Sequence, residues 1–101
     1  MAPVKVAAVA EVGPGRMIGV KARGKSILIA NIGGKFHAMG DSCTHKGCGL
    51  SRGTIEGAVV TCPCHGSRFD VRDGKVLGGP APLAEPVFKV KTVGKDIFVD
   101  I

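Results

Sequence analysis

Four residues of this chain have the types and spacing to hold a metal. Cys43 and His45 form a C-x-H pair, sixteen residues follow, and Cys62 with His65 form a C-x-x-H pair. Thiolates and neutral imidazoles bind metal only when they converge from different turns, and two short-spaced pairs on neighbouring loops meet that requirement. Isolated buried cysteines are common, and a lone histidine is usually an ordinary polar residue. Two Cys/His pairs in Gly-rich loops are improbable by chance, so a metal centre is expected. His37 has no partner at ligand spacing and reads as an ordinary surface or partly buried histidine.

The donors lie in segments that refuse a strand pattern. Residues 40–53 and 78–86 are rich in Gly and Pro with no apolar period, and CPCHGS at 62–67 reads as a turn. Around them run short alternating or β-branched stretches closed by turn residues, the all-β signature. Residues 16–22 and 26–32 flank RGK as a hairpin, and Gly33-Gly34 turns the chain into 35–39. Residues 58–61, 68–72 and 75–77 follow, and 88–93 with 97–101 flank GKD as a closing hairpin. No helix is expected.

A chain of 101 residues closes one core, so a single domain over 1–101 is expected. With 45% hydrophobic and 22% charged residues, neither a disordered tail nor a membrane protein fits. The longest apolar runs, 6–10 and 27–30, are far short of the roughly 18 residues that span a bilayer. Glu11 cuts the N-terminal apolar stretch before it reaches secretory length, so a leaderless, soluble, cytoplasmic protein is expected. Net charge +6 raises nucleic acid as a partner, but Lys and Arg are scattered and alternate with apolar residues, and only four Phe could stack on bases. No nucleic acid is expected; an acidic protein surface is compatible, because complementary charge steers encounter.

The stretch CTHKGC at 43–48, followed by CPCHGS at 62–67, resembles the two boxes of Rieske iron–sulfur proteins, and GGPAPLAEP at 78–86 resembles the proline loop that covers their cluster. The resemblance implies small stacked antiparallel sheets with a cluster-binding subdomain at one tip, built from loops at about 40–53, 62–67 and 78–86. It implies one [2Fe-2S] cluster, with Cys43 and Cys62 on one iron and His45 and His65 on the other. Two ferric ions, two sulfides and two thiolates are neutral together, whereas an all-cysteine cluster carries two negative charges. Adding an electron is therefore easier, and Rieske potentials lie at about −150 to +300 mV against about −400 mV for plant-type ferredoxins. Zinc could use the same donors, but C-x-H is tighter than zinc-finger spacing, and a closed zinc site needs neither a covering loop nor a second cysteine pair.

The same resemblance implies a Cys48–Cys64 disulfide tying the boxes together, as in members that serve quinol-oxidising complexes; most oxygenase-type ferredoxins lack the pair. A loop of about 15 residues closed this way is worth about 3 kcal/mol. A disulfide conflicts with a reducing cytosol unless the source is heat-adapted or the bond is sheltered. The absence of Gln and the single Asn31 fit heat adaptation. Ser67 matches a hydroxyl that bonds a bridging sulfide and raises the potential, while Phe69 stands where high-potential members carry Tyr. Lys46, Arg52, Arg68 and Arg72 could form a basic rim for an acidic redox partner.

The expected function is that of a soluble one-electron carrier between a reductase and a terminal oxidoreductase, not an enzyme and without a small-molecule substrate. The alternatives are an electron-entry subunit or detached cluster domain of a larger complex, resembling a nitrite-reductase small subunit or a quinol-oxidising Rieske protein, and, remotely, a zinc-stabilised binding module.

Overall fold

The computed structural model describes residues 2–44 and 47–101. Strands β1 (Pro3–Ala8), β2 (Met17–Ala22), β3 (Lys25–Ile32), β4 (Lys35–Gly40), β5 (Thr54–Glu56), β6 (Val59–Thr61), β7 (Arg68–Asp70), β8 (Val76–Gly78), β9 (Val87–Phe88), β10 (Val90–Val93) and β11 (Asp96–Asp100) follow one another, with 3-10 turns at Val9–Glu11 and Leu50–Arg52. All pairings between them are antiparallel. They form a central sheet ordered β2-β3-β4-β9, a terminal sheet ordered β1-β11-β10, and a third sheet ordered β5-β6-β7-β8.

Strand β3 dictates how these layers stack. Ile27, Leu28, Ile29 and Ala30 are all fully buried, so the middle of the strand has no solvent face. An apolar run without alternation is what a strand covered on both faces requires. Its alternate residues feed two cores. Ile27 and Ile29 pack with Val12, Ala38, Ile97 and Val99 against the terminal sheet. Leu28 and Ala30 pack with Met39, Leu50, Val60, Phe69 and Val71 against the third sheet, and both Cys43 and Cys62 belong to that second core. The central sheet is thus the middle of three layers, and the candidate metal donors sit on one side of it.

The structure departs from the sequence reading in three places. Strand β1 was not among the expected strands, because a bulge between Lys5 and Ala7 interrupts the alternation that marks a strand. The expected strand over 88–93 is two strands in two sheets: Val87 and Phe88 pair with β4, then Val90–Val93 pairs with β11. The three residues of β5 pair with β6 immediately beyond the first loop, too short a run to show a period.

Because its two faces serve separate cores, β3 tolerates truncation on neither. We expect Leu28→Ala and Ile29→Ala each to lower unfolding free energy by about 2–5 kcal/mol, the usual cost of a large-to-small core change. Urea denaturation checks this; a loss below about 1 kcal/mol at either position contradicts burial on both faces.

Candidate metal centre

The described backbone bonds of the two boxes follow one pattern. In the first, the Cys43 N–H donates to the Cys48 carbonyl at 2.8 Å and the Gly47 N–H donates to the Cys43 carbonyl at 2.7 Å. In the second, the Cys62 N–H donates to the Ser67 carbonyl at 2.7 Å and the Gly66 N–H to the Cys62 carbonyl at 3.2 Å. Each turn thus opens on a cysteine and has glycine in fifth place, with φ of 74° at Gly47 and 76° at Gly66. That backbone region strains any residue carrying a Cβ, which is why glycine stands there. The shared C-x-x-x-G spacing was visible in the sequence, though its structural meaning was not.

Asp41 closes the base of the first box. Its carboxylate accepts the Ser51 N–H at 2.6 Å and the Ser51 hydroxyl at 2.8 Å, and its carbonyl accepts the Leu50 N–H at 2.7 Å. Gly19 of β2 makes room for this pair, since a Cβ there would lie 2.8 Å from Asp41 Oδ2.

Cys43 and Cys62 are reduced and buried, each 3% exposed. Cys48 and Cys64 are joined in a disulfide whose Cα atoms are 6.4 Å apart. The sulfurs of Cys48, Cys62 and Cys64 lie within 4.8 Å of one another. This is not a three-thiolate site, because two of the sulfurs are bonded to each other; the disulfide sits beside the Cys62 thiol and locks box to box. His65 is exposed on the second box. His45 and Lys46 lie outside the described residues. Ser67 is fully buried, and its Oγ accepts the Ala81 N–H at 3.0 Å, which leaves the hydroxyl proton to donate elsewhere.

The segment 78–86 is tied to both boxes. Besides the Ser67 bond to Ala81, the Thr44 hydroxyl donates to the Leu83 carbonyl at 2.6 Å. At Gly79, where φ is 86°, a Cβ would lie 2.5 Å from Ser67 Cα. The loop closes through Glu85, whose N–H donates to the Gly74 carbonyl at 2.8 Å, and through the Pro86 carbonyl, which accepts the Gly40 N–H at 2.8 Å. The Glu85 side chain is 4% exposed, and its Oε2 has no hydrogen-bond partner among the described residues. Burial pushes this carboxyl up to about 7, against the Thr44 N–H that it accepts and with a further push from Asp41. Sequence reasoning missed Glu85, since one acid in a Pro-rich loop carries no signal.

Of the expected basic rim, Arg52 and Arg68 are exposed. Arg72 is exposed too but grips Asp70, with Nε 3.0 Å from Oδ1 and Nη2 2.8 Å from Oδ2. That pairing holds the Asp70 carboxyl below its ordinary value, chiefly through the side-chain hydrogen bond.

Two buried free thiols, one opening each box, and an exposed imidazole on the second box are donors of the types an iron–sulfur group takes. A Rieske [2Fe-2S] domain model matches residues 2–94. The ferredoxin component of biphenyl 2,3-dioxygenase from Rhodococcus jostii (strain RHA1) is 38% identical over 101 residues, covering 100% of this chain and 94% of that protein. The ferredoxin of carbazole 1,9a-dioxygenase from Nocardioides aromaticivorans IC177 superposes with a TM-score of 0.92 at 28% identity, covering 98% of this chain and 97% of that one. A ferredoxin chain in a complex of reduced oxygenase and oxidised ferredoxin of carbazole 1,9a-dioxygenase gives 0.90 at 33% identity, covering 96% of this chain and 91% of that one.

Two outcomes follow for the loops. Cys48→Ser and Cys64→Ser should each lower stability by about 2–5 kcal/mol while freshly purified protein keeps its iron, because a clamp and not a ligand is lost; immediate iron loss contradicts this. For Glu85, a carboxyl raised in the fold contributes stability that is complete below its ordinary 4.5 and lost as pH rises through about 7. The melting temperature of Glu85→Gln minus that of wild type should therefore increase between pH 5 and pH 8. A constant difference shows that Glu85 does not titrate in that window.

Proposed function

The chain belongs to the Rieske [2Fe-2S] family, and from that premise we propose that it is the one-domain ferredoxin of a dioxygenase system, handing single electrons from a reductase to a terminal oxygenase. It is an electron carrier and not a catalytic oxygenase. The observation that carries the oxygenase partnership is the end-to-end match to a dioxygenase ferredoxin component. When bound, the [2Fe-2S] cluster accepts and releases one electron.

In this reading Cys43 and Cys62 supply the thiolates of one iron, and His45 and His65 supply the imidazoles of the other. Burial of both thiols in the second core keeps water and oxidants from them. Ser67, fixed by the Ala81 N–H, offers a rigid hydroxyl donor that favours the reduced, more negative state. Leu83 presents a 65% exposed apolar side chain on the cover loop, and the Thr44 hydroxyl fixes its backbone. We assign the docking face to this tip, with Leu83 as apolar contact and Arg52 and Arg68 as the cations that steer an acidic partner. No helix among the described residues is long and apolar enough to cross a membrane.

Stopped-flow reduction of a purified dioxygenase by the reduced protein tests the reading. Transfer should slow as salt rises, and Arg52→Glu with Arg68→Glu should slow it further. Isolation of the native protein as a fixed subunit of another enzyme, with no transfer to the dioxygenase, overturns it. Cys43→Ala, His45→Ala, Cys62→Ala and His65→Ala should each abolish the normal visible and EPR spectra, and a variant keeping both spectra removes that residue from the ligand set.

Phe69 allows a finer check. It is fully buried in the core that holds Cys43 and Cys62, between the apolar cross-strand neighbours Val60 and Val76. High-potential members of the family carry Tyr at this place, and by that resemblance a hydroxyl added there would donate to a ligand sulfur, a bond that favours the reduced state. At about 1 kcal/mol, Phe69→Tyr should raise the midpoint by roughly 43 mV, since 59 mV is a tenfold change for one electron. Ser67→Ala should lower it similarly. Protein-film voltammetry decides: an unchanged or lower midpoint for Phe69→Tyr in an intact fold removes position 69 from the tuning of the cluster.

A further inference from the structure

Strand β4 is paired along its whole length on one side and only in part on the other. β3 meets it from Lys35 to Gly40, whereas β9 meets only Ala38 and Met39. Beyond Phe88 the chain leaves this sheet, and Val90–Val93 joins β11. The bonding of β3 fixes where the leftover backbone groups point. The Asn31 N–H donates to the Arg16 carbonyl at 3.0 Å, and the Asn31 carbonyl accepts the Gly15 N–H at 2.8 Å, so both groups face the β2 side. Phe36 is the cross-strand partner of Asn31. In a pair that does not exchange hydrogen bonds, both residues turn their backbone groups outward. The N–H and carbonyl of Phe36 therefore point to the edge that β9 has vacated. The same parity appears further along, where the Gly40 N–H meets the Pro86 carbonyl on that edge.

A cavity of about 520 Å³ lies against this open edge, and Lys35, Phe36, His37, Arg72, Phe88 and Lys89 are among its lining residues. Alternation puts Lys35 and His37 on one face of β4 and Phe36 on the other. Lys35 and Lys89 are exposed, and neither is in an ion pair among the described residues. Asp70, the acid nearest Arg72, is already held by it. Burial, with Lys35 and Arg72, holds His37 below its ordinary value, in keeping with a positive local field only partly offset by Asp70.

We propose that this edge binds an extended segment of a partner protein in which an apolar residue stands between two acidic ones. The apolar residue lies opposite Phe36, exchanges both backbone hydrogen bonds with it and projects to the apolar side of the strand. Its two neighbours project to the side of Lys35 and His37, where charge complementarity favours carboxylates. No Asp or Glu of this chain stands two residues from another, so a second copy does not supply the pattern. The surface is separate from the boxes and the cover loop, so occupying it leaves the docking tip open.

The test uses holoprotein and a fluorescein-labelled Ser-Glu-Val-Glu-Ser peptide with an amidated C-terminus, followed by anisotropy. Binding should saturate and should weaken at least tenfold in Lys35→Glu/Lys89→Glu protein of unchanged visible spectrum. Unlabelled peptide should slow hydrogen exchange in the fragment containing Phe36 and not in one drawn from β2. Several results overturn the proposal: no saturation by low millimolar protein, equal binding of Ser-Lys-Val-Lys-Ser, unchanged affinity in the double variant, or no protection at Phe36. Displacement by free glutamate as readily as by unlabelled peptide also overturns it, marking a small-anion site, and dimerisation that blocks the peptide overturns it in favour of a second copy.

Discussion

On the proposed ligand set, two thiols must face a common centre and stay reduced while two others, one on each of the same turns, are joined to each other. The whole cluster end of the molecule answers to that constraint. Position within the shared bonding pattern sorts the cysteines: the first residue of each box is buried and bonds through its N–H across the turn, to the Cys48 carbonyl in one case and the Ser67 carbonyl in the other. The remaining two, sixth in the first box and third in the second, meet between the loops. Twinned turns alone would allow the boxes to hinge apart. The disulfide removes that freedom, and it does so next to the Cys62 sulfur without using it.

The cover loop completes the enclosure through donors and acceptors drawn from both boxes. Ser67 in one and Thr44 in the other each hold a backbone group of the loop, so the loop cannot lift without breaking a bond to each. Glu85 is the strained member of this arrangement. Its carboxyl is buried with one oxygen unpartnered among the described residues, next to Asp41, which is itself committed to closing the first box. A group so placed is most comfortable neutral, which ties the loop that shields the thiols to pH near neutrality.

The chemistry of the site was more legible than the sheets that carry it. Cysteine and histidine types at fixed spacing mark the boxes wherever they fold, and Gly47 and Gly66 announce two turns of one geometry. The meander of β2, β3 and β4 was also readable, because Gly33-Gly34 and the RGK turn punctuate short alternating or β-branched stretches. Strand β1 was hidden by its bulge at Val6, which slips the apolar period by one. The split between β9 and β10 was hidden for the opposite reason: FKVKTV alternates without interruption through Lys89, where the chain changes sheets, and no Gly or Pro marks the crossing. Glu85 left no trace because its burial is set by residues distant in the chain, Gly40 and Thr44 among them.

That unmarked crossing does more than join two sheets. By pairing with only two residues of β4 before departing, the chain carries the cover loop back to the central sheet and then commits its last strands to the other core. A longer β9 would have sealed β4 and left less chain to reach β11, whose Asp100 N–H donates to the Lys89 carbonyl at the crossing itself. The vacant edge at Phe36 is therefore a geometric consequence of serving two sheets with one short segment. Edges of this kind invite uncontrolled pairing, and lysines beside them oppose contact with other basic chains while remaining open to acidic ones. On a molecule of net charge +6, Lys35 and Lys89 discourage self-pairing and select by charge what can approach.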